Sequence, residues 1–515
     1  MTDHESTVPS GAKQVPILFN HGTDVKKRAS IGMLWVSVAL IVAKLLSFLS
    51  QIVLGSLLTV ETYAVFGLAA TAVALISGFQ NSSVAKALMQ QHGNFQELFP
   101  KYSAFAFQFG VVGMGVLIAL GAFFEDNYNI SGILGVLIVT SLSIPFLALN
   151  TILIASLSIE YRFRDINLTD IRRSLIYYTA LVGAALLGAE EYTFALATLL
   201  GTLAAHAMYR RQSRLKPSLI AFGAHHFIRT FWTLRWVLVS GFLIALAMRS
   251  DFFVVGKLVT PQNLGFYTFG FMLVASITVP ISAGINQVFL PIFARLQEDR
   301  HSLKQEVLRF TNATVTIGAF LCLIMVGVSS VLIDIVWEGK WNSSALVINL
   351  LLMAMPFRFM ATIAGVGLEA MGKWHLRSSL LSVEAVVLMV LAAIGAVTGG
   401  INGAIIGVVL QRILSAFVSM AFLGRVLELR ATGLVSLSMR IFTPFALCTG
   451  VLFFQSPTRH LHDTGPHSLT FALGETLMSV VVFLVVTVLL NKQFFATVVE
   501  LLHIRNKRGS AKSAG

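Results

Sequence analysis

Hydrophobic stretches of about 20 residues, the length at which a helix crosses the hydrocarbon core of a bilayer, follow one another through nearly all of this 515-residue chain. About fourteen such spans can be marked by that criterion. Soluble domains are roughly 45–50% apolar and 25% charged, whereas this chain is 56% hydrophobic and 12% charged. A water-soluble core cannot cover that much apolar surface, but lipid can. Lipid in turn demands that every backbone polar group be satisfied within the protein. The expected fold class is therefore an all-α polytopic membrane protein.

The segments between the spans fix its orientation. Of the 37 Lys and Arg, four (Lys44, Arg249, Arg358, Arg412) fall inside spans and three (Lys257, Lys340, Arg459) in loops on one side; the rest crowd the other side. Lys26-Lys27-Arg28 precede the first span, Arg162, Arg164, Arg172 and Arg173 follow the fourth, and Arg210, Arg211, Arg214 and Lys216 follow the sixth. Opposite them lie Glu125-Asp126, Glu190-Glu191 and a Trp337/Trp341 pair, read as an interfacial aromatic belt. The positive-inside rule places both termini in the cytoplasm. The net charge of +13 then faces anionic lipid head groups. No nucleic-acid partner is expected, since no basic segment is interleaved with stacking aromatics.

This reading divides the chain into a cytoplasmic tail (1–28), a first lobe of six spans (29–209), a cytoplasmic linker (210–235), a second lobe of six (236–423), two further spans (424–490) and a basic tail (491–515). The shortest spans are the fifth, at 174–188, and the thirteenth, at 441–454. Segment 494–504, apolar before a basic end, is expected to be an interfacial helix on the inner leaflet. The first 28 residues are polar, so no cleavable signal peptide is expected and the first span directs insertion. Cys322 and Cys448 both fall in apolar spans; they are expected to be buried and reduced, with no disulfide framework and no metal site. An internal repeat supports the two lobes. Leu54-Gly55-Ser56-Leu57-Leu58-Thr59 recurs as Val255-Gly256-Lys257-Leu258-Val259-Thr260, a shift from 54 to 255. Six spans per lobe is an even number, so the copies share one orientation. In such parallel repeats the site is expected between the lobes near mid-membrane.

Several of these segments resemble bacterial polysaccharide transporters. Lys44 to Leu54 (KLLSFLSQIVL) with Leu57-Leu58-Thr59 is similar to their first span. Asp251-Phe252-Phe253-Val254-Val255-Gly256-Lys257-Leu258 with Asn263-Leu264-Gly265-Phe266-Tyr267 resembles the junction of the seventh and eighth. Phe289-Leu290-Pro291 with Arg295-Leu296-Gln297 resembles the cytoplasmic helix that follows, and Ala370-Met371-Gly372-Lys373 the turn after the tenth span. Tyr63-Ala64-Val65-Phe66 and Asn81-Ser82-Ser83 depart from the usual pattern, which weakens assignment of a particular glycan. The resemblance, from about residue 28 to 423, points to the polysaccharide-transporter branch of the multidrug/oligosaccharidyl-lipid/polysaccharide exporter superfamily. It implies a flippase for a polyprenyl-pyrophosphate-linked oligosaccharide in the bacterial inner membrane. It implies no cofactor and no enzymatic activity. Its partners are the lipid-linked glycan and the bilayer, with a glycan polymerase and export machinery as further candidates.

A cation at mid-bilayer costs roughly 2.5–3.5 kcal/mol or more, so the four intramembrane cations are candidates for binding an anion. Lys44 and Arg249 lie near the middle of repeat-related spans and are candidate pyrophosphate ligands. The alternatives are snorkelling for Lys44 and an ion pair with Asp251 for Arg249. Asp251 is a candidate coupling or ion-pair residue. Arg358, two residues after the helix-bending Pro356, and Arg412 are further candidates, with Glu384 expected either to neutralise one of them or to serve a coupling ion. His206 and Glu475 are read as packing residues. Two other classes compete. An ion-coupled drug exporter of the same superfamily should line its cavity with acids. A membrane enzyme needs a large external loop, and the longest here, 455–468, holds Arg459, His460, His462, Asp463 and His467. No Gly-Lys-Ser or Gly-Lys-Thr sequence exists, which excludes a P-loop nucleotide site.

Overall fold

The computed structural model describes residues 42–80, 83–90, 94–160, 162–218, 223–459, 466–491 and 494. Both tails, the start of the first span, the 494–504 segment apart from Phe494 and residues 460–465 of the His-rich external loop lie outside the described residues. Every regular element described is helical. In chain order these are α1 (Val42–Leu57), α2 (Val60–Gln80), α3 (Ser83–Gln90), α4 (Phe95–Tyr128), α5 (Ile133–Ser141), α6 (Ile144–Ile159), α7 (Phe163–Leu186), α8 (Thr193–Gln212), α9 (Ala224–Leu258), α10 (Pro261–Arg295), α11 (Arg300–Trp337), α12 (Ala345–Ala370), α13 (Trp374–Val426), α14 (Ala431–Arg459) and α15 (Pro466–Leu490). Among the described residues, eight membrane candidates are long and apolar enough to cross a bilayer, and the described part of α1 and the Gly474–Leu490 part of α15 are shorter apolar helices. The chain is an all-α polytopic membrane protein. Cys322 and Cys448 are buried and unbridged.

The 53-residue α13 is two arms. Gly399 (φ −143°, ψ 22°) and Gly400 (φ 57°, ψ −140°) leave helical geometry, the second in a region open essentially to glycine alone. The chain doubles back there, and Gln411 Nε2 on the second arm donates to the Glu384 carbonyl on the first (3.3 Å). The helices around the sequence-expected short spans are longer than hydropathy alone suggests. α7 starts at Phe163 because Arg162 bonds Asp165 (2.7 Å) and the Gln212 carbonyl (2.7 Å), anchoring a polar first turn. α14 likewise starts at Ala431. The region expected as linker, 210–235, is entered by helix from both sides. α8 continues to Gln212, and α9 begins at Ala224, where Phe227 and Phe231 pack on Phe105 and Phe109 of α4. Phe289-Leu290-Pro291, expected to open a separate cytoplasmic helix, is instead the continuation of α10.

The sequence repeat is also a repeat of local structure. Leu58 N–H closes on the Leu54 carbonyl (2.8 Å) and Val259 N–H on Val255 (2.9 Å). Thr59 Oγ1 accepts from Thr62 N–H (3.2 Å), and Thr260 Oγ1 from Asn263 N–H (3.3 Å), each capping the following helix. Between the copies, α2 crosses α10 so closely that a Cβ on Gly67 would meet the Thr268 side chain, and one on Gly265 the Val60 carbonyl. Gly67 and Thr268 are equivalent positions of the repeat, and they touch.

Trp337 and Trp341 do not form an interfacial belt. They are 4% and 0% exposed because the α11–α12 connection folds over the end of α1. Trp337 Nε1 donates to the Ile52 carbonyl (2.9 Å) and Trp341 Nε1 to that of Gly55 (2.9 Å). Lys340 Nζ reaches the carbonyls of Gly55 (3.2 Å), Ser56 (3.2 Å) and Leu58 (2.7 Å). These are the terminal carbonyls that a helix cannot bond internally. Around them Trp341 stacks on Phe269 (3.9 Å between centroids) and meets Tyr63 edge-on (5.0 Å).

Gly265→Val forces the α2–α10 crossing apart, and overpacking of this kind costs about 1–3 kcal/mol. In detergent, its thermal midpoint should fall well below wild type. Gly183→Ala, where a Cβ meets nothing within 4 Å, should leave the midpoint unchanged.

Candidate functional site

Five of the six sequence-selected residues converge where α9, α10, α12 and both arms of α13 meet. Asp251 on α9 is fully buried, and its Oδ2 accepts from the Tyr267 hydroxyl of α10. Among the described residues its Oδ1 has no hydrogen-bond partner, nor does the neighbouring Ser250 hydroxyl. Arg249, two residues earlier and so on the opposite face of α9, feels the charge of Asp251 but makes no hydrogen bond or ion pair with it among the described residues. Its guanidinium lies over the rings of Phe252 (5.7 Å) and Phe271 (5.3 Å), a cation–π seat that holds the charge and leaves N–H groups uncommitted. Arg358 on α12 is within electrostatic reach of Arg412, Asp251, Glu384 and Arg249 and so sits at the centre of the group. Arg412, on the second arm of α13, is 7% exposed and also interacts with Tyr267.

Glu384 on the first arm was expected to neutralise Arg358 or Arg412. Its contacts are different: its Oε1 accepts from Ser419 Oγ (3.1 Å) and lies 4.0 Å from Arg377 Nη1. Arg377 also bonds Glu369 on α12 (3.4 Å). Glu384 thus serves the group through charge rather than through a direct bond to either arginine. Tyr267, Arg377 and Glu369 were not among the candidates. The signal for Arg377 was present, since it lies seven residues from Glu384 and so on the same helix face; Glu369, beyond the turn, is on no shared helix face with them.

Lys44 stands apart. It is partly buried on α1 and makes no ion pair among the described residues. His206 takes the packing role expected of it, its Nδ1 lying 3.0 Å from Asn150 Oδ1.

The group therefore contains Arg249, Arg358, Arg412 and Arg377 against Asp251, Glu384 and Glu369, an excess of one positive charge. Arg249 and Arg358 keep part of their surface exposed while Asp251 and Arg412 are sealed. The sealed members anchor the group, and the two accessible arginines can present donors to an anion. An arginine grips phosphate oxygens in a bidentate fork that lysine cannot reproduce.

Asp251→Asn removes a negative charge from a group already in positive excess. It should destabilise by about 2–3 kcal/mol, below the roughly 3–5 kcal/mol for breaking a fully buried pair because Arg358 is partly exposed. Thermal unfolding in detergent should show Asp251→Asn/Arg358→Gln recovering most of that loss, a non-additivity above about 1 kcal/mol.

Residues 53–346, more than half of the chain, match the family described as "Polysaccharide biosynthesis protein". Over 123 residues the chain is 24% identical to the teichuronic acid biosynthesis protein TuaB of Bacillus subtilis (strain 168), a stretch covering 24% of this chain. The match spans about a quarter (26%) of that curated relative's length. Among solved structures, the lipid II flippase MurJ in its inward closed conformation superposes with a TM-score of 0.66 at 14% identity, covering 90% of this chain and 100% of MurJ. A multidrug resistance MATE family transporter in its inward-facing conformation superposes with a TM-score of 0.57 at 14% identity, over 77% of this chain and 98% of its own. At these identities the likeness establishes the fold. The chain belongs to the polysaccharide biosynthesis protein family and carries the fold of the multidrug/oligosaccharidyl-lipid/polysaccharide exporter superfamily.

Proposed function

We propose that this protein is a transporter, not an enzyme, that flips a polyprenyl-pyrophosphate-linked oligosaccharide from the cytoplasmic to the outer leaflet of a bacterial inner membrane. The observation that carries the reading is the positive excess of the arginine group, with Arg249 and Arg358 partly accessible. Such a substrate has a large polar anionic head and a tail that stays in lipid. A protein moving it must offer cations at mid-membrane and leave the tail in the bilayer. In this reading Arg249 and Arg358 hold the pyrophosphate, with Arg412 behind them. Asp251 and Glu384 hold the arginines in place when no substrate is bound, and Lys44 is the cationic contribution of α1.

The arrangement we infer is fourteen spans, six in each of two parallel-repeat lobes and two more at the C-terminal end, working by alternating access. Its support is the repeated capping at Thr59 and Thr260 and the contact of the equivalent positions Gly67 and Thr268. Equivalent positions touch where a pseudo-two-fold axis passes between two copies. The superposition on MurJ, named as a lipid II flippase, and the match to TuaB, named for teichuronic acid biosynthesis, support the substrate class. A glycan polymerase and export machinery are the partners such a transporter would serve.

Deleting the protein should leave glycan-loaded carrier lipid accumulated on the cytoplasmic leaflet, measured by accessibility to an impermeant glycan-modifying reagent in inside-out and right-side-out vesicles. Normal glycan with loss of drug resistance would instead identify an ion-coupled multidrug exporter. Arg249→Ala and Arg358→Ala should each abolish export in a protein that still inserts, and Arg249→Lys should retain part of it. Neutralising Arg249 and Asp251 together should not restore export; restored export would reduce Arg249 to a structural role.

Topology is tested separately. Reporter fusions after Glu125, Glu190 and Lys340 should read external, and those after Arg164, Arg214 and Arg300 cytoplasmic. A cytoplasmic signal at Glu125 or Glu190 would overturn the orientation of the first six spans.

A further inference from the structure

Away from the arginine group, α11 and α14 enclose a partly open cavity of about 500 Å³ between their first turns. That is within the range of about 300–1,000 Å³ typical of small-molecule sites. One wall is Gln305, Leu308, Arg309 and Asn312 of α11; the other is Gly433, Ser436, Leu437 and Arg440 of α14. Each set has the spacing i, i+3, i+4, i+7, a single face of a helix. The cavity exists because α14 presents Gly433 and Ser436 where a larger residue would close it, and a Cβ on Gly433 would meet nothing within 4 Å.

The lining is arranged by depth. Asn312 and Asn491, at the end of α15, exchange amide hydrogen bonds (3.0 and 2.7 Å) and close the deep end. Leu308 and Leu437 form an apolar middle, with Leu437 buried. Arg309 and Arg440 supply two guanidinium groups. Arg309 has Glu306 at 3.6 Å, both about a third exposed, while Arg440 has no ion pair among the described residues. Seven residues of helix rise about 10 Å, the scale of a lipid head group with the first carbons of its chains.

We propose that this cavity is a binding site for the phosphate-bearing head group of an anionic membrane phospholipid. Two arginines with amide and hydroxyl donors match phosphate oxygens. The apolar middle matches the carbons next to the head group, which a free anion lacks. Basic pockets between membrane helices on the cytoplasmic side hold anionic head groups in this way. The cavity opens at the end of the bundle where α11 and α14 begin, the end assigned to the cytoplasm by the charge pattern. The lipid identified is not the transported substrate, since none of the lining residues belongs to the arginine group on α9, α10, α12 and α13.

The test uses the purified full-length chain in neutral detergent, so it depends neither on orientation nor on transport. Native mass spectrometry and thermal unfolding are followed with dioleoylphosphatidylglycerol, dioleoylphosphatidylcholine and inorganic phosphate. Wild type should retain the phosphatidylglycerol at least tenfold better than the phosphatidylcholine and be stabilised by it, less so at high salt. Arg309→Gln/Arg440→Gln should lose at least tenfold in retention. Gly433→Leu, which fills the cavity and leaves every charge in place, should lose the same lipid with an unchanged lipid-free midpoint. Undiminished phosphatidylglycerol binding in Gly433→Leu would overturn the proposal. Stabilisation by millimolar inorganic phosphate equal to that by phosphatidylglycerol would also overturn it, by showing a site for the free anion.

Discussion

A main-chain carbonyl inside a bilayer has no water to turn to, and this constraint orders the rest of the structure. Helices meet it along their length, but their ends do not. The chain resolves its ends in several ways. Threonines at repeated positions cap α2 and α10, and the Glu125 carboxylate accepts from the Gly132 N–H at the start of α5 (3.0 Å). Buried hydroxyls such as Thr71, Thr140 and Thr311 return to carbonyls one turn earlier (2.7–2.8 Å). The end of α1 is closed from far along the chain by Trp337, Lys340 and Trp341.

The same constraint explains why the arginine group is a network and not a set of pairs. An isolated guanidinium in hydrocarbon is expensive, and here each draws on a different kind of relief. Arg249 uses aromatic faces, Arg377 two carboxylates, and Arg358 the charges of Asp251 and Glu384, which work against the repulsion of Arg412 and Arg249. Asp251 receives a phenolic hydroxyl on one oxygen, and the other has no hydrogen-bond partner among the described residues. A group so assembled tolerates a positive excess that no single pair could, and an excess held at depth is what an anionic cargo requires.

Much of this was legible in the sequence for a physical reason. Spans are long runs of one property, and orientation is written in the loops, so hydropathy and charge read both directly. The intramembrane cations were visible because lipid makes each of them conspicuous. The short turns were readable too, as Gly372 with φ 69° shows in the Ala370–Lys373 turn. What did not follow from the sequence depends on how distant segments meet. Trp337 and Trp341 have the composition of an interfacial belt and are buried, because their indole N–H groups answer carbonyls almost 290 positions earlier. Glu384 has its ion pair with Arg377, two turns away on its own helix, and reaches Arg358 through charge alone. Lys44 lies in the span that the repeat relates to that of Arg249, and it makes no ion pair among the described residues.

The cap on α1 also bears on which way that end of the protein can part. Each of its hydrogen bonds is worth about 1 kcal/mol when water stands ready to replace the lost partner, and several times that when nothing does. If the α11–α12 connection lifts away on the aqueous side, the carbonyls of Ile52, Gly55, Ser56 and Leu58 are rehydrated as they are released. If α1 slides sideways into acyl chains, the same carbonyls are stranded. At this end, wetting has to accompany opening, and a cleft that forms there is a solvent-filled one rather than a seam to the surrounding lipid.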